Sequence, residues 1–150
     1  MEWMLMPLKR YAEFSGRSRR KEYWMYVLLI VIATFVISFI EQALGLTGMV
    51  GPYGPLSALL IVGTFVPSLA VGIRRLHDTN RTGWWMLLGI VPYALSVVLL
   101  LAGSLALAAT LGMVALLCAI ALLVFMVLPG TSGPNQYGPD PKGVGEEVFA

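Results

Sequence analysis

Between Met86 and Leu128 the chain runs for 43 residues without one charged side chain. A membrane-crossing helix takes about 20 apolar residues, so this run holds two crossings and a turn between them. A water-soluble fold of 150 residues could not hide it, because the whole chain is 58% hydrophobic and only 12% charged, where soluble domains carry about a quarter charged residues. The bilayer is therefore the solvent to reason with.

Two more uncharged runs precede it, WMYVLLIVIATFVISFI from Trp24 to Ile40 and LSALLIVGTFVPSLAVGI from Leu56 to Ile73. Glu41 and Gln42 close the first, and GLTGMVGPYGP then supplies glycines and prolines that make turns rather than helix. The expected fold is an all-α integral membrane protein, a four-transmembrane-helix bundle in a single membrane domain, with spans over about 23–41, 56–74, 84–102 and 105–128. Gly103-Ser104 is the expected turn of the long run, with Thr110 to Gly112 as its competitor. Pro67 lies inside span two and removes one backbone hydrogen bond, which neighbouring helices or Ser68 must re-satisfy.

Residues 1–22 interleave Trp3, Leu5, Leu8, Tyr11 and Phe14 with Lys9, Arg10, Arg17, Arg19, Arg20 and Lys21. They suit a short interfacial amphipathic helix with Pro7 at its first position and Leu8, Tyr11, Ala12 and Ser15 on one face; a disordered basic arm competes for the first few residues. No short apolar core with a small-residue cleavage site appears there, so span one reads as a retained anchor. The tail, 129–150, begins PGTSGPNQYGPDPKG and is expected as turns and extended chain.

The ten basic residues fall before span one, between spans two and three, and in the tail. With four spans all lie on one side, and the positive-inside rule places both termini in the cytoplasm.

Several chemistries are disfavoured. Cys118 and His77 are the single cysteine and the single histidine, too few for a zinc set or a disulfide, and a net charge of +2 does not argue for nucleic acid. No cofactor or metal is expected. His77 beside Asp78 invites an acid/base proposal, but adjacent helical residues seldom face each other and no nucleophile accompanies them, so the expectation is a protein that is not an enzyme. A conduit usually carries ionisable groups within its spans, and here only Glu41, at the end of span one, qualifies. Pro67 and Pro92 could break helices around a site, but without midplane charges they read as packing features.

Three motifs stand at fixed relation to the hydrophobic runs: FSGRSRRKEYW at 14–24, RRLHDTNRTGWW at 74–85 and GPNQYGPDP at 133–141. Together they resemble the bacterial inner-membrane family known as domain of unknown function 805, the YhaH/YhaI-like proteins. The resemblance spans nearly the whole chain. It implies a compact four-helix inner-membrane protein with its polar motifs gathered on the cytoplasmic side, and no established activity. Asn80 and Thr82 stand where that family often has Gly and Ser; both replacements are compatible with a turn.

On the motifs themselves, Arg74 and Asp78 are four apart and would pair if the helix continues one turn past the membrane, leaving Arg75 and Arg81 for phosphate or carbonyl partners. Asp78 or Thr82 is a candidate cap for the next helix, and Trp84 and Trp85 mark its entry into the headgroups. Arg74, Arg75, His77 and Arg81, joined by Arg17, Arg19 and Arg20, form a candidate cationic surface for anionic headgroups or an acidic partner segment. Asn135, Tyr137 and Asp140 sit on a tail stiffened by Pro134, Pro139 and Pro141, with Asp140 expected to meet an arginine of the other motifs. Ala108, Gly112, Ala115 and Ala119 fall four or three apart and would permit close helix packing, including a homo-oligomer. The resulting expectation is a non-enzymatic structural, regulatory or lipid-interacting membrane component whose partners are membrane lipids or a protein. The alternative is a small transporter or channel subunit.

Overall fold

A computed structural model describes residues 2–143. Among these it is all-helical: α1 Glu2–Lys9, α2 Arg20–Ala43, α3 Pro55–Asp78, a 3₁₀ turn Gly83–Met86 leading into α4 Leu87–Leu101, and α5 Leu105–Val127. Pairing of extended backbone is limited to two isolated bridges inside turns, Val50 with Tyr53 and Asn135 with Gly138. Four helices are long and apolar enough to cross a membrane: α2, α3, α5, and α4 counted with its 3₁₀ turn. At 1.5 Å per residue α2 and α3 are each about 36 Å long, enough to cross the roughly 30 Å hydrocarbon layer with a turn to spare. The chain is thus a membrane protein, and most of its large apolar side chains lie on the surface, the arrangement lipid requires.

The helices outrun their expected ends because polar side chains hold the extra turns. α2 begins at Arg20, ahead of the span expected from about 23, and α3 continues through Asp78, the turn beyond the span that the Arg74–Asp78 spacing allowed for. The turn between α4 and α5 does fall at Gly103-Ser104. Gly103 takes φ 79°, and the amides of Gly103 and Ser104 bond back to the carbonyls of Leu100 and Leu99, a Schellman ending. α3 ends the same way with Asn80 at φ 59°, where Asn80 and Arg81 amides reach the carbonyls of His77 and Leu76. Asparagine is the non-glycine residue best suited to that left-handed position.

The residues form two compact units. The first takes residues up to Phe14 together with Lys21–Val71. Pro7, expected at a helix start, lies buried inside α1 near its end, and α1 stops at Lys9, so Tyr11, Ala12 and Ser15 are not on it. Tyr11 has another role: its hydroxyl donates to the carbonyl of Gly63 at 2.8 Å, the carbonyl that Pro67, four residues on, cannot bond. Ser68, expected to mend that gap, instead shares a hydroxyl–hydroxyl bond of 3.1 Å with Tyr26 of α2.

At the far end of the same unit Glu41 is only 2% exposed. Its carboxylate accepts from the Leu56 amide at 2.6 Å and from the Ser57 amide at 2.9 Å, and from the Ser57 hydroxyl at 2.5 Å. It caps the first turn of α3 from a residue fifteen places back in sequence. Gly54 lies so close that any β-carbon there would land on the carboxylate. The one acidic group that a conduit reading had to rely on is occupied in building the turn between α2 and α3.

The second unit takes Ser15–Arg20 and the residues from Gly72 onward. α4 and α5 pack on each other, with Gly89 of α4 against Leu122 of α5. Ala108 and Ala115 are buried while Ala119 is exposed, so half of the small-residue stripe is already used within the chain.

A candidate headgroup-level site built from three motifs

The second unit gathers residues from all three motifs. Asp78, at the last turn of α3, is 5% exposed. Arg17 Nε donates to its Oδ1 at 3.0 Å and Arg75 Nη1 donates to its Oδ2. One carboxylate thus anchors two guanidiniums in a fork geometry that lysine could not reproduce.

Each guanidinium then spends its other nitrogens on backbone. Arg17 Nη1 reaches the Gly133 carbonyl at 2.6 Å and Nη2 the Thr131 carbonyl at 2.5 Å. Arg75 Nε reaches the Met126 carbonyl at 3.1 Å and Nη2 the Leu128 carbonyl. Met126 and Leu128 close α5, whose last carbonyls have no partner of their own, so Arg75 serves as the C-terminal cap of a helix on another part of the chain.

The tail is tied down by backbone and amide groups. Thr131 donates its amide to the Asp78 carbonyl at 2.8 Å and its hydroxyl to the same oxygen at 3.2 Å. Asn135 Nδ2 donates to the His77 carbonyl at 2.9 Å and to the Thr131 hydroxyl at 3.0 Å, while its Oδ1 accepts the Tyr137 amide at 2.9 Å. Tyr137 lies flat on His77, with ring centroids 3.9 Å apart and planes 2° apart. His77 Nδ1 faces the Gly16 carbonyl at 3.1 Å; since a carbonyl only accepts, that nitrogen carries the proton. Ser18 donates its amide to the carbonyl of Arg74, and Arg74 is fully buried.

These contacts revise several expectations. Arg75, expected to be open to phosphate, is 0% exposed and bound to carbonyls and to Asp78. The ion-pair partners of Asp78 are Arg75, three residues before it, and Arg17, not a pair built only on the four-residue spacing to Arg74. Neither Asp78 nor Thr82 caps the next helix: Asp78 faces the arginines, and Thr82 makes no side-chain cap bond. Arg81 lies with its guanidinium 4.1 Å from the centre of the Phe125 ring, a cation–π contact, and donates to the Thr79 carbonyl at 3.2 Å.

Asp140, expected to meet an arginine, instead closes its own loop. Its Oδ2 accepts the Gly133 amide and its Oδ1 the Lys142 amide, both at 2.9 Å. Those two amides, with a smaller contribution from the charge of Arg17, hold its carboxyl below the usual carboxylate range. Arg19 and Arg20 lie at the edge of the cluster, Arg19 half-buried and Arg20 exposed, with Arg20 Nη1 donating to the Val127 carbonyl at 3.3 Å.

Sequence reasoning missed Thr131 and Gly130, and it singled out Glu41 without seeing its capping role. Thr131 and Gly130 sit in a turn-rich stretch with no periodicity, and only the three-dimensional neighbourhood reveals that a β-carbon at Gly130 would strike the Asp78 carboxylate. For Glu41 a signal did exist, an acid at the end of one apolar run with a serine two residues inside the next helix. Among the described residues no group of three or more His, Cys, Asp and Glu side chains could hold a metal ion.

Comparison with known proteins adds a family and relatives. The family model described as "Protein of unknown function (DUF805)" matches residues 11–139, a stretch that includes nearly every contact above. The chain is 44% identical over 142 residues to "Inner membrane protein YhaI" of Escherichia coli strain K12, covering 95% of this chain and 97% of the relative. It is 38% identical to "Inner membrane protein YhaH" of the same organism, covering 95% and 98%, and 30% identical to "Uncharacterized protein YiiR", covering 87% of each. No solved structure matches the chain.

Proposed function

We propose a function for this chain, which belongs to the DUF805 family of proteins of unknown function, from its polar cluster. It acts as a non-enzymatic component of the bacterial inner membrane, with both termini in the cytoplasm, whose motif residues form a clasp. The clasp fixes the basic ends of its helices at headgroup level. The exposed bases Arg20 and Lys21, at the start of α2, contact anionic lipid.

The observation that carries this reading is the commitment of the buried guanidiniums. Every nitrogen of Arg17 and of Arg75 donates to Asp78 or to a backbone carbonyl. A group bonded in this way is a structural element rather than a reagent. Membership of a family whose named relatives include inner membrane proteins supports the compartment. The ten basic residues falling on one side of four spans support the orientation.

Native mass spectrometry of the purified chain, titrated with phosphatidylglycerol or phosphatidylcholine of identical acyl chains, tests the reading. Combined Arg20→Gln and Lys21→Gln should remove the preference for phosphatidylglycerol and leave the melting temperature in place. Arg17→Gln or Arg75→Gln should lower the melting temperature instead. An unchanged phosphatidylglycerol preference in the first variant sinks the lipid contact, and an unchanged melting temperature in the second sinks the clasp.

A further inference from the structure

Where the tail crosses Asp78 the second unit leaves a cleft of about 70 Å³, whose lining includes Arg19, Asp78, Thr131, Ser132, Asp140 and Lys142. It begins within three residues of the end of α5 at Val127, the depth at which a span gives way to lipid headgroups. Two bases and two acids line it. A simple anion entering would meet two carboxylates, and a simple cation would meet a guanidinium and an ammonium.

The carboxylates are fixed in place and still have acceptor capacity. An ionised carboxylate offers about four lone-pair sites. Asp78 accepts one bond on each oxygen, from Arg17 and from Arg75, and Asp140 accepts one on each, from the amides of Gly133 and Lys142. A primary ammonium brings three donors to such acceptors; a quaternary ammonium brings none. Since one water fills about 30 Å³ of liquid volume, the space admits roughly two water-sized groups. That fits the ammonium and adjoining methylene of an aminoethyl arm inside, with its phosphate left at the rim beside the exposed Lys142.

We propose that this cleft is a headgroup pocket for an aminophospholipid, holding a primary ammonium against Asp78 and Asp140 and the adjoining phosphate against Arg19 and Lys142. The inference rests on the reading that this end of the chain lies at headgroup level, but it does not depend on the anionic-lipid contact of Arg20 and Lys21. It assigns to the GPNQYGPDP motif a ligand-facing side, with Asp140 ordering the loop through its two amide bonds while its remaining lone pairs face the cleft.

The test is native mass spectrometry of the intact chain in detergent, titrated with phosphatidylethanolamine, phosphatidylcholine and phosphatidylglycerol of identical acyl chains. The wild type should retain phosphatidylethanolamine about tenfold over phosphatidylcholine, a 1.4 kcal/mol preference. Asp140→Asn and, separately, Lys142→Gln should each erase it. Lys142→Gln guards against a folding artefact, since Lys142 holds the loop through its backbone amide rather than its side chain. Displacement of the lipid by soluble glycerophosphoethanolamine, but not by inorganic phosphate, would place recognition in the whole headgroup.

Equal retention of phosphatidylethanolamine and phosphatidylcholine by the wild type overturns the pocket. So does a preference that survives both substitutions, or displacement by phosphate alone. A phosphatidylglycerol preference that depends on Arg20 and Lys21, without any for phosphatidylethanolamine, would leave the proposed function standing and remove only this pocket.

Discussion

Asp78 is the residue on which the second unit turns, because its one carboxylate is the ion-pair partner of two guanidiniums that have been taken out of water. Removing one member of a buried ion pair commonly costs about 3–5 kcal/mol, since the charge left behind stays buried without compensation. Asp78→Asn should therefore lower stability by about that amount in thermal unfolding followed by tryptophan fluorescence in detergent. A loss below about 1 kcal/mol would mean that the arginines are held by carbonyls alone. Asp140 gives a pH prediction of known sign. Its folded carboxyl titrates below its ordinary value, so its contribution is complete above that value and fades as pH falls through the lower one. Hydrogen exchange of residues 133–142 should stay slow down to about pH 4 and accelerate below it, whereas Asp140→Asn should exchange faster at every pH with no such step. The sequence marked Arg17, Arg75, Asp78 and Asp140 as belonging together but mispaired Asp78 and Asp140. Spacing rules see one helix at a time, and Arg17 lies 61 residues from Asp78.

At the scale of elements, helix ends were the part that hydropathy could not locate. A run of apolar residues shows where the bilayer lies, yet α3 goes on through Arg74, Arg75 and Asp78 because Asp78 and nearby carbonyls satisfy those polar groups. The turn at Gly103-Ser104 was legible because a glycine with positive φ is what a Schellman ending asks for. The hydrogen bond from Tyr11 to the Gly63 carbonyl was not, as nothing local ties residue 11 to a proline in α3. That bond can be isolated by a double-mutant cycle. Tyr11→Phe should cost about 1 kcal/mol in the native chain, because the carbonyl loses its donor. In a Pro67→Ala background the helix supplies its own amide to Gly63, and the same change should cost close to nothing. Equal costs in both backgrounds would show that the tyrosine contributes by packing rather than by mending the helix.

For the whole molecule the decisive quantity is where charge sits relative to four crossings. Each basic residue moved to the wrong face must be translocated, and insertion follows the face richer in lysine and arginine. With the proposed cytoplasmic termini, four crossings by the apolar helices are expected to leave the α4–α5 turn outside and the tail inside. Cys118 is the single cysteine, lies within α5 and is free, so a Cys118→Ser background makes the prediction measurable. In intact spheroplasts a membrane-impermeant maleimide should label Ser104→Cys readily and Ser132→Cys only after permeabilisation. The reverse pattern would turn the protein over and move the clasp to the periplasmic leaflet. Labelling of both in intact spheroplasts would mean an even number of crossings between them, with α5 not spanning. The second result would also remove the premise of the aminophospholipid pocket, since the cleft between Arg19 and Lys142 lies at headgroup level only if α5 spans and ends there.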